Sequence, residues 1–229
     1  DVITMDVNMP GIDGLEATRQ IMAETPTRII MLSSLTEKGL SATFRAMEFG
    51  AVDYVSKSSS AIDVDLSTIA KQVVEKIMFW GQQGSVTANA DDATKPSLPP
   101  ETDLLVVAGG SGSPNLIGEL LKTLKPLAFP VVIVQTMPPS FTAPFVEFIG
   151  RKTGHPTVEA TATCSLESGN ITVMPGGREG TMSQDATGLR LNLGSAAANR
   201  VGDVIASALT AAKAPVLLFL SGEGRPLNH

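Results

Sequence analysis

The sequence predicts an α/β protein of two parallel-sheet domains, and three observations carry that reading. Strand-sized apolar runs alternate with stretches of helical periodicity in both halves of the chain. Between the halves, Gly81 to Thr102 is rich in Gln, Gly, Ser, Thr, Asn, Asp and Pro and nearly lacks bulky apolar residues, which is the composition of a linker. Aromatic residues make up only 4% of the 229 residues against 43% hydrophobic overall, so the cores must be built from Val, Ile, Leu, Met and Ala packed between sheets and helices.

The first residues, Asp1 to Asp6, read as a strand ending on a carboxylate, followed by a turn-rich loop with Pro10, Gly11, Asp13 and Gly14. Leu15, Thr18, Ile21 and Met22 then repeat at helical spacing until Pro26 stops them. Arg28 to Leu32 reads as a second buried strand leading to Ser33 and Ser34. A helix from about Lys38 to Phe49, closed by Gly50, precedes a third strand, Val52 to Val55, that leads to Lys57. A last helix, about Asp63 to Trp80, carries apolar positions Leu66, Ile69, Val73 and Ile77. The expected division is therefore residues 1–83 for the first domain and its closing helix, 84–102 for the linker and 103–229 for the second domain.

The second domain opens on another strand-helix-strand unit: Leu104 to Ala108, Asn115 to Leu124 and Val131 to Gln135. From Thr157 to Leu193, runs broken by Gly169-Asn170, Gly176-Gly177 and Gly188 predict hairpins. Val201 to Ala212 (helix) and Val216 to Leu220 (strand) return to the α/β pattern.

Charge and composition exclude several functions. A net charge of -6 without clustered Lys and Arg gives no surface for nucleic acid and favours a protein partner. One cysteine, Cys164, rules out an intrachain disulfide, and two histidines are too few for a Cys/His zinc site, so a reducing cytoplasm fits. The longest apolar runs are strand-sized, and no signal segment opens the chain, so membrane insertion and secretion are not expected.

The chemistry of the first half lies at the ends of its strands. Asp6, Ser33 and Lys57 close three successive strands, so a carboxylate, a hydroxyl and an ammonium meet on the rim where open parallel sheets bind ligands. That trio suits phosphoryl transfer to the carboxylate, with Lys57 and a Mg²⁺ ion balancing the developing charge and Ser33 donating to a phosphoryl oxygen. Taken singly, Asp6 also reads as an acid at a helix N-terminus and Lys57 as a solvated strand end.

The segments DVITMDVNMPGIDGLEA, MLSSLTEKG and AMEFGAVDYVSK resemble the receiver domain of response regulators, specifically of the chemotaxis methylesterase family. The resemblance implies a flavodoxin-like receiver in which Asp6 is phosphorylated and, with the Asn8 carbonyl, binds Mg²⁺. It further implies that Ser33 and Lys57 contact the phosphoryl group and that Tyr54 is the aromatic switch residue. It also implies a receiver that begins after the family's first strand and its acidic pair, which weakens Mg²⁺ binding, and Ser58 replaces the usual proline after the lysine.

In the second half, LLVVAGGSGSPNLIGELLKTLK, FPVVIVQTMPPSFTAPFVE, GNITVMPGG and VLLFLSGEG resemble the methylesterase domain of the same family, a doubly wound parallel sheet bearing a Ser-His-Asp triad. Here the resemblance departs from the family at the chemistry. The serine position falls on Gly110, with Ser111 restored as nucleophile only by a one-residue slip; the histidine position falls on Thr136 and the aspartate position on Pro226. The two histidines stand elsewhere, at positions 155 and 229, and His155 reads as a surface loop residue. Without family resemblance, GGSGSP is a tight strand-to-helix turn in which Gly109, Gly110 and Gly112 relieve crowding and Ser113 caps the helix ahead of Pro114. Met137 and Met174 read as core residues or as the lining of a substrate groove.

Three functions follow as expectations. The first is a response regulator taking a phosphoryl group from a sensor histidine kinase onto Asp6 to control a catalytically impaired methylesterase-like domain that binds chemoreceptors. The second is a working methylesterase and glutamine deamidase on chemoreceptors using Ser111. The third is a phosphoryl sink for the kinase.

Overall fold

The structure, a computed structural model, describes residues 1–34, 36–57, 66–83, 98–110, 112–196 and 201–220. They fall into two compact units, one within Asp1–Ala93 and the other within Thr94–Gly222. Residues 84–97 of the expected linker lie outside the described residues; at its far end Thr102 is buried, and its N–H and hydroxyl both donate to Pro99 O.

In the first unit β1 (Val2–Asp6), β2 (Arg28–Ser33) and β3 (Asp53–Ser56) form a parallel sheet in that order. Parallel neighbours require crossovers, supplied by α1 (Gly14–Glu24) and α2 (Glu37–Glu48). Each crossover starts on a capping side chain: Asp13 accepts from Glu16 N at 2.8 Å, and Thr36 from Gly39 N at 3.2 Å. The acid that caps α1 is thus Asp13, which leaves the Asp6 carboxylate for other work. Ile29, Ile30 and Met31 are fully buried, as expected of a central parallel strand covered on both faces.

The closing helix α3 (Leu66–Gln82) follows the predicted face in part, with Ile69 and Val73 half-buried, and departs from it near its end. Ile77 is exposed, while Lys76 turns inward and its ammonium donates to Asp53 Oδ2 at 2.8 Å. Asp53 is fully buried at the start of β3 and also accepts from Trp80 Nε1 at 3.1 Å and from Tyr54 N at 2.7 Å. A buried carboxylate must be paired, and this demand overrides the apolar periodicity that sets Ile77 inward.

The second unit is built on a parallel sheet in the order β11-β4-β5-β8-β6, from β4 (Leu104–Gly109), β5 (Val131–Gln135), β6 (Thr157–Glu159), β8 (Ile171–Val173) and β11 (Pro215–Leu220). Leu104, Val106, Val132 and Val134 pack with Val204 and Ala208 of α6 (Val201–Ala211). Alternation turns the intervening residues to the opposite face, where α4 (Pro114–Thr123) and α5 (Thr142–Thr153) lie. A separate antiparallel sheet, β7-β10-β9, uses β7 (Thr163–Ser165), β9 (Arg178–Asp185) and β10 (Gly188–Ala196). The sequence reading overlooked α5, although Pro144 near its start, Phe145, Phe148 and Ile149 on one face and Gly154 in the left-handed region (φ 71°) mark it.

Of the expected hairpin turns, Gly188 belongs to one, joining β9 to β10. The turn at Gly169-Asn170 leads instead into β8, which pairs in parallel with β5 and β6, and Gly176-Gly177 lies between β8 and β9, which belong to different sheets. All three residues of β8 are buried, so it has no solvent face and joins the sheet interior rather than a hairpin. Met174 is core, packed with Met182 and Leu191, and Met137 is buried as well.

Candidate functional site

Parallel pairing puts the carboxyl ends of β1, β2 and β3 on one edge of the first sheet. Asp6 and Lys57 meet there: the Lys57 ammonium donates to Asp6 Oδ2, and Asn8 N donates to Oδ1 at 3.1 Å. The pair is about one-third exposed, at 39% and 35% of the two side chains, and therefore open to a ligand. Lys57 beside it holds the Asp6 carboxyl below the usual carboxylate range. The loop after Asp6 folds back tightly, with Gly14 N donating to Val7 O at 3.1 Å; a Cβ on Gly14 would lie 1.9 Å from Asp6 O, so only glycine fits.

Ser33 is joined to the same edge through its backbone, since Lys57 N donates to Ser33 O at 2.7 Å. Its hydroxyl, fully buried, is directed at α2, donating to Gly39 O at 3.0 Å and to Ser34 O at 3.1 Å. Tyr54 is buried with its ring 6.1 Å from that of Phe44, and burial together with Asp53 pushes its phenol above the ordinary range. Asn8 is exposed beside Asp6.

The described donors for the Mg²⁺ that the resemblance implies are the Asp6 carboxylate and the Asn8 carbonyl. Ion-paired with Lys57, Asp6 offers no net negative charge to a dication, and no group of three His, Cys, Asp or Glu side chains among the described residues suits a metal. These residues by themselves do not make a Mg²⁺ site.

The second rim lies at the carboxyl ends of β4 and β5. The chain runs from β4 across to β5 and later returns through β11 on the other side of β4, a topological switch point at which open sheets form a crevice. Gly110 follows β4 there, its N–H donating to Leu220 O at 3.4 Å. Thr136 follows β5, exposed, with its N–H on Gly109 O at 2.9 Å. Ser113 and Gln135 are buried between them and use their polar atoms on one another. Ser113 Oγ lies 2.6 Å from Gly110 O and 3.0 Å from Gln135 Oε1, and the Gln135 amide donates to the same Gly110 carbonyl. Ser113 therefore occupies the cap position of α4 without a capping side-chain bond, contrary to the expectation from GGSGSP. Gly109 is needed, because a Cβ there would meet Ser113 Oγ at 2.1 Å, whereas at Gly110 nothing among the described residues lies within 4 Å of the Cβ position. Ser111 and Pro226 lie outside the described residues.

His155 cannot serve this rim. It precedes β6, so it sits at the amino end of a strand parallel to the others, on the opposite edge of the sheet. Its Nε2 is buried with no hydrogen-bond partner among the described residues, and burial, with Lys125 nearby, lowers its pKa. Sequence reasoning missed Gln135 and Asp53; the signal for each was a polar residue inside or bordering an otherwise apolar strand.

Comparison with known proteins fits this two-part arrangement. The model for the response regulator receiver domain matches residues 1–67, and that for CheB methylesterase matches residues 105–225. A protein-glutamate methylesterase/protein-glutamine glutaminase of Nocardioides sp. is 33% identical over 245 residues, covering 98% of this chain and 67% of the relative. Its namesake numbered 2 from Carboxydothermus hydrogenoformans is 35% identical over 190 residues, covering 77% and 54%. This chain thus spans 54% to 67% of the length of these two relatives. Among solved structures, the response regulator domain of Thermotoga maritima CheB is 42% identical, covers 37% of this chain and 63% of that one, and has a TM-score of 0.32. With both domain models matched in order and 98% of this chain aligned to a relative, the chain belongs to the CheB family of chemotaxis response regulator methylesterases.

Proposed function

We propose that Asp6 accepts a phosphoryl group and that the phosphorylated receiver controls a methylesterase-like unit which binds its target without turning it over. The observation that carries the first part is the Asp6–Lys57 ion pair, open to solvent at the carboxyl edge of the sheet. An Asp6 carboxylate oxygen attacks phosphorus on the phosphohistidine of a sensor kinase. The P–N bond breaks, its electron pair stays on the imidazole nitrogen, and the new O–P bond makes an acyl phosphate. The Lys57 ammonium pairs with the phosphoryl oxygens and offsets their charge. The Ser33 hydroxyl turns from α2 to a phosphoryl oxygen, and Tyr54, buried against Phe44, follows that change.

Support for the second part is the second rim. Acyl transfer through a serine needs a nucleophile, an imidazole base and an orienting carboxylate. The positions that match them are Gly110, Thr136 and Pro226, and His155 stands on the opposite edge of the sheet. The target would be the cytoplasmic region of chemoreceptors, in keeping with the family. No helix among the described residues is long and apolar enough to cross a membrane. The names of the relatives favour a second reading, a working methylesterase and glutaminase with Ser111 as nucleophile, in which Ser111→Ala abolishes turnover.

The acceptor is tested by treating the protein with acetyl phosphate and Mg²⁺, trapping the acyl phosphate by borohydride reduction and mapping it by mass spectrometry. The modification is expected on Asp6, absent in Asp6→Asn and diminished in Lys57→Met. An unmodified wild type, or the same yield of modification from Asp6→Asn, overturns it.

A further inference from the structure

We infer that Thr43, inside α2, sets how readily the Ser33 hydroxyl leaves α2, and thereby how strongly the Asp6 site holds a phosphoryl group. The inference rests on Asp6 as the acceptor.

The grounds are three hydrogen bonds. The single Ser33 hydroxyl proton is shared between Gly39 O at 3.0 Å and Ser34 O at 3.1 Å, both long for a hydroxyl donor. The Thr43 hydroxyl reaches the same Gly39 carbonyl from the next turn of the helix at 2.7 Å. Both side chains are fully buried, so their hydroxyls depend on protein partners. This crowding is possible because residue 39 is glycine: a Cβ there would lie 2.7 Å from Ser34 O and 2.8 Å from Ser34 Oγ, so a larger residue would push the β2–α2 loop away.

The consequence is an asymmetry between the two hydroxyls. Gly39 O is already served by the shorter Thr43 bond, so when Ser33 leaves, no buried carbonyl is stranded and little binding is lost. A phosphoryl oxygen, being charged, is the stronger acceptor and wins the proton. With valine at position 43 the shape is kept but the competing donor is gone. Gly39 O then keeps the helical N–H of residue 43 and, as its one remaining hydroxyl donor among these three bonds, Ser33, which no longer shares the acceptor with a second hydroxyl and is held more tightly at α2. Thr43 is thus a positioning residue that acts through Ser33 and touches no phosphoryl group itself.

The test is a titration of the protein with beryllofluoride, a phosphoryl mimic, in the presence of Mg²⁺, following the amide resonances of Ser33 and Gly39. Thr43→Val should raise the half-saturating concentration roughly three- to tenfold, the scale of one neutral hydrogen bond. Thr43→Ser, which keeps the donor, should restore the wild-type value, and in a Ser33→Ala background Thr43→Val should have no effect. An equal weakening with and without Ser33 would show a merely structural role and overturn the inference. If the wild type takes up no beryllofluoride, the acceptor reading fails, and a ligand-free stability cycle still decides the competition. Ser33→Ala should lower the folding equilibrium constant more in the Thr43→Val background than in the wild type; additive losses would contradict it.

Discussion

The two rims of this molecule put polar groups at the carboxyl edge of a parallel sheet, yet they use them in opposite ways. In the first unit the charged pair Asp6–Lys57 is partly exposed and available to an incoming group. In the second, Ser113 and Gln135 are buried and committed to one another and to the Gly110 carbonyl, while the outward positions, Gly110 and Thr136, carry no acid, base or imidazole. On the proposed reading the first rim is arranged to do chemistry, while the described residues of the second hold a backbone shape. Fold and site are separable in principle: among the described residues the strand-to-helix turn of the second rim is specified by Gly109, Ser113 and Gln135, whose polar atoms serve the turn itself.

The largest expected effect separates two carboxylates of the first sheet, Asp53 of β3 and Asp6 of β1. Asp53→Ala removes the carboxylate paired with the buried Lys76 ammonium and should cost the first unit about 3–5 kcal/mol. Asp6→Ala, which breaks an ion pair about one-third exposed, should cost less than about 1 kcal/mol. Urea unfolding followed through the single tryptophan, Trp80, measures both. Equal losses would remove the distinction between anchoring and reacting charges.

The next effect compares adjacent glycines on the second rim. Gly109→Ala drives a methyl group against Ser113 Oγ and Gln135 Oε1 and should destabilise the second unit by about 1–3 kcal/mol. Gly110→Ala meets nothing among the described residues and should change stability by no more than about 0.5 kcal/mol. Calorimetric melting of the two variants checks this, and a costly Gly110→Ala would mean that the outward position is packed after all.

The architecture was legible because buried parallel strands are written as continuous apolar runs, from Ile29 to Met31 and from Leu104 to Ala108. Asp6 and Lys57 were legible for a related reason, since each marks the point where such a run ends. What was hidden depended on partners distant in sequence. Lys76 turns inward because Asp53, 23 residues earlier, needs a cation, and Ser113 leaves its capping role because Gln135 lies 22 residues ahead. The course of β8 was hidden too, because a three-residue apolar segment between glycine turns fits a hairpin and a sheet interior equally well.

The smallest expected effect is a pH dependence at the first rim. Lys57 lowers the folded-state pKa of Asp6, so the ion pair contributes stability above the usual carboxylate pKa of about 4, lost as pH falls through the lowered folded value. Asp6→Asn should flatten that part of the acid-stability profile and leave the profile above pH 6 unchanged, as followed by circular dichroism.

The central claim is that the first rim is chemically live and the second is not. It is met most directly by incubating the protein with methylated chemoreceptor membranes and acetyl phosphate, and measuring acyl phosphate on Asp6 and released methanol in one sample. Acyl phosphate on Asp6 without methanol release is the predicted result. Methanol release that requires Asp6 and disappears in Ser111→Ala would contradict it and establish the second rim as a working esterase.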